Sequence, residues 1–237
     1  MGEYWRLTRR PRYAVLAALP LLVLYHLSAS LTGSTTMNGA EALLLGPFVA
    51  VAGRDGPWAL VAGLVLTGAW FVARDVRGSG APKPRIFVAM LGESAAWAVA
   101  TGIVLSVATA TLLQRTGLLA MLTEAPPWSI GERLTISIGA GLYEELLFRV
   151  IAVPVLAWLV LTATGARAGV ATGTAVVLSA LLFSAMHHVG AYGEPFTVQA
   201  FVFRTLAGLW FSGLYVARGF GVAAWSHALY DVGVLVL

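Results

Sequence analysis

Apolar runs of about 17 to 25 residues, the length a helix needs to cross roughly 30 Å of hydrocarbon, recur in this chain from Tyr13 to its last residue. The runs predict helices over Tyr13 to Leu31, Trp58 to Ala73, Ile86 to Leu113, Ile130 to Ala163, Ala168 to Val189, Thr197 to Ala217 and Phe220 to Leu237. The segment Asn38 to Gly53 is shorter and carries Glu41 and Pro47, which suits a re-entrant or interfacial helix as well as a span. The expected fold is all-α: a polytopic transmembrane bundle of seven or eight helices with an intramembrane polar cavity. Breaks between runs fall at turn and loop chemistry: Arg54 to Pro57, Arg77 to Arg85, Pro126-Pro127, Gly190 to Pro195 and Arg218-Gly219.

With 59% hydrophobic and 11% charged residues, the chain leaves no soluble domain between these runs. It has no cysteine, which excludes disulfides, Cys-ligated zinc, iron-sulfur clusters and thiol nucleophiles. The net charge of +4 calls for no nucleic acid, because arginines in short loops are what orient a membrane protein. Arg6, Arg9, Arg10 and Arg12 ahead of an apolar run imitate a twin-arginine signal. More membrane follows, however, so Tyr13 to Leu31 reads as a retained first span. Gly169-x-x-x-Gly173 and Gly208-x-x-x-Ser212 are small-residue spacings that let helix backbones approach closely.

Against this background each ionisable residue inside a span needs a reason. An unpaired Asp, Lys or Arg at the bilayer centre costs about 2.5 to 3.5 kcal/mol on insertion scales, so such groups face the bundle interior and pair there. The spans hold Glu144, Glu145 and Arg149 in G-L-Y-E-E-L-L-F-R-V, His187 and His188 ending the next run, Arg204 in the third, and His227 and Asp231 in the last. Adjacent residues on a helix point about 100° apart, whereas residues four apart share a face. Glu145 and Arg149 are thus expected to form a buried ion pair, with Glu144 projecting into the cavity as a base. His187 follows Phe183 by one turn, His227 and Asp231 share a face, and His188 points elsewhere. A stabilising ion network is the competing reading of Glu144, Glu145 and Arg149.

One carboxylate and two imidazoles in a semi-dry cavity suit hydrolysis by two routes. A glutamate can position a water and take its proton while imidazoles polarise the carbonyl or protonate the leaving amine. Alternatively His187, His227 and Glu144 can hold a divalent metal such as zinc, which lowers the pKa of its bound water to about 7. No G-x-S-x-G and no H-E-x-x-H is present, which disfavours serine and zincin mechanisms. A proton-coupled transporter and a non-enzymatic immunity or peptide-binding protein are the competing classes. Against transport, the chain shows no paired broken helices in matching halves.

These residues resemble the CPBP family of intramembrane proteases, the Abi or type II CAAX prenyl protease group. Its E-E-x-x-x-R matches Glu144, Glu145 and Arg149, its F-x-x-x-H matches Phe183 and His187, and its last motif, H-x-x-x-N or D, matches His227 and Asp231. The resemblance divides the chain into N-terminal transmembrane helices, 1–129, and a catalytic core, 130–237. It implies cleavage of a peptide bond near the end of a protein or peptide substrate with a C-terminal transmembrane or lipidated tail, within membrane lipid. Glu144 would activate water, and His187 and His227 would bind or polarise water and carbonyl. The family is described both as metalloprotease and as a metal-free glutamate enzyme. Asparagine at the last position can donate to an oxyanion, but ionised aspartate only accepts, so Asp231 points to orienting His227 or binding metal. Relatives include prenyl-tail proteases, immunity proteins and sorting enzymes such as myxosortases.

Charge sets the expected orientation. Arg74, Arg77, Lys83, Arg85, Arg167 and Arg218 fall on one side of the last five helices, against Arg115, Arg133, Glu124, Glu132 and Glu194 on the other. The positive-inside rule makes the first side cytoplasmic. The Ala/Gly/Val-rich chain reads as a bacterial inner-membrane protein, its site opening outward to the periplasmic side.

Overall fold

The computed structural model describes residues 2–33, 37–114, 128–190 and 193–236. Arg115, Glu124, Pro126-Pro127 and Leu237 lie outside them. The helices are α1 (Gly2–Thr8), α2 (Pro11–Thr32), α3 (Gly39–Ala52), α4 (Gly56–Ser79), α5 (Pro84–Gln114), α6 (Ile130–Gly139), α7 (Val153–Thr164), α8 (Ala168–Met186), α9 (Val198–Arg218) and α10 (Phe220–Leu235). Among the described residues six runs are long and apolar enough to cross a membrane: Pro11–Thr32, Gly39–Ser79, Pro84–Leu112, Ile130–Thr164, Ala168–Met186 and Val198–Arg218. The fold is the expected polytopic helical bundle.

Local chemistry explains the helix ends. Pro11 opens α2, where its missing N–H costs nothing. Ser129 and Glu132 form a reciprocal capping box at the start of α6. Gly165, at φ 65°, closes α7 in the left-handed conformation. Between α6 and α7 the helix widens to π geometry over Ala140–Glu144 and Leu146–Ala152. Proline at 154 has no N–H to give the Val150 carbonyl. Just before it, the Val153 N–H reaches back five residues to Phe148 O.

α3 does not cross the bundle. Its 14 residues extend only about 21 Å at 1.5 Å per residue. At its start Tyr25 Oη donates to Glu41 at 2.5 Å. At its end Val49 packs on Gly56, and Trp58, two residues further, stacks against His26. Both ends therefore lie level with the same turn of α2. α4 then runs antiparallel to α2, Gly68 meeting Val15 and Asp75 meeting Arg10 and Arg12.

One end of the bundle gathers the basic residues. Arg12 donates to Gly80 O at 2.7 Å and Arg9 to Val216 O at 3.4 Å. Arg218, expected as a loop charge, is fully buried there. Its guanidinium donates twice to Glu93, at 2.5 and 2.7 Å, and lies over the Trp5 ring. Tyr4 Oη and Trp97 Nε1 also donate to Glu93, so the short α1, not foreseen from the sequence, is tied to α5 and α9. α8 and α9 run antiparallel, with Ala180 against Gly208 and Ser184 Oγ donating to Phe201 O. Arg167 therefore shares the basic end, and His187 and Glu194 sit at the opposite one.

α10, only 16 residues, is the central helix and packs on α2, α5, α6, α9 and the π stretch. Val222, Ala223 and Ala224 are fully buried. A Cβ on Gly141 would lie 2.5 Å from Ala224 O and 2.6 Å from the Ala228 N atom. Only glycine allows this approach, which sets His227 and Asp231 over the two glutamates. The Gly208 spacing does bring α8 and α9 together. Gly169 and Gly173, expected to do the same, have no atom within 4 Å of the position their Cβ would take.

Candidate active site

The π stretch carries Glu144 and Glu145 into the interior, with residue exposures of 5% and 0%. Glu145 and Arg149 form the expected pair, Oε1 to Nη1 at 3.2 Å, and both are fully buried. Arg149 also donates to Gly208 O at 3.4 Å, and its guanidinium carbon lies 4.6 Å from the centre of the Phe183 ring. The pair is thus packed in aromatic surroundings between α8 and α9, where a lone charge would have no water to turn to.

Glu145 has a second partner that the spacing did not suggest. His227 Nδ1 donates to its Oε1 at 2.8 Å, and the imidazole stacks on Phe211 with centroids 4.3 Å apart. The Nδ1–H bond fixes the ring and turns Nε2 toward the other carboxylates. Glu144 Oε2 lies 3.9 Å from that Nε2, and Asp231 Oδ2 lies 3.6 Å from it. The two glutamates therefore reach opposite edges of one imidazole. The sequence expectation gave Glu145 only the Arg149 partner; the hydrogen bond to His227 joins it to the cavity as well.

His187 caps α8. Its Nδ1 donates to Phe183 O at 2.8 Å, so its Nε2 is presented to Glu144 Oε1 at 3.8 Å. Phe183 packs edge-on against Phe148 and His187, holding the second motif against the first. The His187 and Asp231 side chains are 25% and 22% exposed, against 7% for Glu144 and 6% for His227, so the site is open where His187 and Asp231 lie. His188 turns away as expected, with Nδ1 bonded to Glu194 O and its ring on Phe196. Arg204 pairs with Glu194 in the loop before α9, beside the His187 carbonyl that accepts the Glu194 N–H.

All six residues singled out from the sequence, Glu144, Glu145, Arg149, His187, His227 and Asp231, thus meet in one cluster. Sequence reasoning missed Phe211 and Gly141, for which no local motif exists. Of the expected metal ligands, Glu144 lies 3.8 Å from His187 Nε2 and 3.9 Å from His227 Nε2, and among the described residues no group of three His, Cys, Asp or Glu side chains forms a closed metal-binding set.

Residues 126–233 match the family model "Type II CAAX prenyl endopeptidase Rce1-like". No curated protein and no solved structure gives a significant match. The matched region contains all three motifs and every member of the cluster, and over residues 126–233 the chain is similar to the type II CAAX prenyl endopeptidase (CPBP) family of membrane proteases.

Proposed function

We propose that this protein hydrolyses a peptide bond near the C-terminal end or membrane anchor of a protein substrate, using a water activated by Glu144. The observation that carries this reading is the position of Glu144 between two Nε2 atoms, at 3.8 and 3.9 Å. Those gaps exceed a direct hydrogen bond, and a water sitting beside the carboxylate and an imidazole can bond to both. The water oxygen attacks the scissile carbonyl carbon as its proton passes to Glu144, and the carbonyl electron pair moves onto oxygen. The C–N bond then breaks as the amide nitrogen takes the proton from Glu144, releasing an acid and an amine. His187 positions the water, while His227, fixed by Glu145, faces the developing charge.

The test uses two synthetic peptides, one ending in an apolar anchor segment and one carrying S-farnesylcysteine, incubated with purified protein in liposomes. One peptide is cut at an internal bond, and the rate is expected to stay within twofold after exhaustive chelation. Loss of activity on chelation with recovery on added zinc would replace the glutamate route by a metal one.

We further propose that the site opens to the outer face of a bacterial inner membrane, which suits processing of an exported protein at its anchor. The basic end of the bundle supports this through the positive-inside rule, since His187 lies at the other end. Single cysteines at Ser79 and Val189, both exposed and at opposite ends, give the check. In intact cells a membrane-impermeant thiol reagent is expected to label Val189→Cys and spare Ser79→Cys. The reverse pattern would turn the site to the cytoplasm.

A further inference from the structure

A tetrahedral oxyanion is stabilised by N–H or O–H donors aimed at it. The last motif here ends in Asp231, which when ionised offers only acceptors, so a donor beside His227 has to come from outside that motif. Asn38 holds a spare one. It is the N-cap of α3, where its Oδ1 accepts the Glu41 N–H at 2.7 Å. The residue is 8% exposed and its Nδ2 is buried without a hydrogen-bond partner among the described residues. A buried amide donor left unpaired is destabilising, and a ligand that accepts from it relieves that.

The segments around Asn38 adjoin those that carry the site. Its Nδ2 is 3.5 Å from where a Cβ on Gly139 would sit, at the turn directly before the π stretch. A helical side chain lies over the turn N-terminal to its own Cα, so Glu144 extends back over the turn that begins at Gly139. On the other side the Cβ position of Gly39 is 3.7 Å from the carbonyl of Met186, the residue before His187. Ala40 packs with Phe148 and Phe183, the rings that support the imidazoles. The Tyr25–Glu41 hydrogen bond clamps this first turn in place.

We propose that Asn38 Nδ2 donates to the carbonyl oxygen of the scissile bond and to the oxyanion that forms from it, the task an asparagine at position 231 would otherwise perform. This rests on the protease reading above. It assigns a catalytic contact to the short helix that precedes the family-matched region.

The experiment measures kcat and KM on whichever of the two peptides the wild-type protein cleaves. Asn38→Ser keeps an N-cap acceptor and removes the amide donor. It is expected to lower kcat by about 10²-fold or more, with KM within threefold and the melting temperature unchanged. In the Asp231→Asn background the same substitution should cost less than tenfold, because a second amide can take over the donation. If Asn38→Ser fails to fold, Asn38→Asp, which keeps cap and shape, is judged by the same criteria. A kcat within threefold of wild type overturns the proposal and leaves the protease standing. A loss confined to KM and thermal stability, and unrelieved by Asp231→Asn, also overturns it by making Asn38 structural. Cleavage of neither peptide by the wild-type protein overturns the protease reading and this inference with it.

Discussion

Glu144→Gln is expected to reduce kcat by about 10²- to 10⁴-fold, the range a positioned general base contributes, with the helical content and melting temperature of the wild-type protein. Glutamine keeps the shape of the side chain and its place between His187 and His227 but cannot take the water's proton. The bundle around it is built by packing, through α10 on Gly141 and Phe183 on Phe148, so removing one charge leaves the scaffold intact. His187→Ala should lose activity in the same manner, since its imidazole is the most exposed of the cluster and, among the described residues, makes no side-chain ion pair beyond Glu144. Steady-state rates on the cleaved peptide, alongside thermal melts, check both.

Arg149→Ala is expected to behave differently, because Glu145 is fully buried and would be left with its charge uncompensated. Breaking one side of a buried pair costs about 3–5 kcal/mol. In a chain of this size that lowers the melting temperature by roughly 6–20 °C. Activity should fall too, since Glu145 Oε1 also holds His227 Nδ1, and a carboxylate that moves releases the imidazole. Glu145→Ala removes both contacts at once and strands Arg149 among aromatic rings. A double variant, Glu145→Leu with Arg149→Met, buries no charge and should recover stability while staying inactive. That separation of stability from turnover distinguishes the ion pair's two roles, and equal loss of both in the double variant would argue against them.

Much of the site was legible in the sequence because lipid makes polar residues conspicuous. Glu144, Glu145, Arg149, His187, His227 and Asp231 stand out in apolar runs, and the i and i+4 spacings correctly paired Glu145 with Arg149. Most spans were legible for the same reason, their boundaries moving by a few residues: Trp58 to Ala73 became Gly56–Ser79, and Ala168 to Val189 stopped at Met186; Phe220 to Leu237, expected as one more, is a 16-residue helix outside the six membrane-length runs. What sequence could not give was geometry across distant segments. The His227–Glu145 hydrogen bond joins residues 82 apart, and the stacking of His227 on Phe211 has no periodic signature. The π stretch was also hidden, since Pro154 marks a disturbed ladder without saying how it is resolved. Arg218 looked like a topogenic loop charge. Its burial against Glu93 and Trp5 depends on α1, whose seven residues are too few to announce a helix by periodicity.

The most direct measurement is mass spectrometry of the anchor and farnesyl peptides after incubation with purified, chelator-treated protein in oxygen-18 water. Wild-type protein is expected to yield two fragments from a single internal bond, the new carboxyl group carrying oxygen-18, while Glu144→Gln leaves the same peptide whole. Intact peptides in both samples, or equal cleavage by both proteins, would contradict a Glu144-driven hydrolysis.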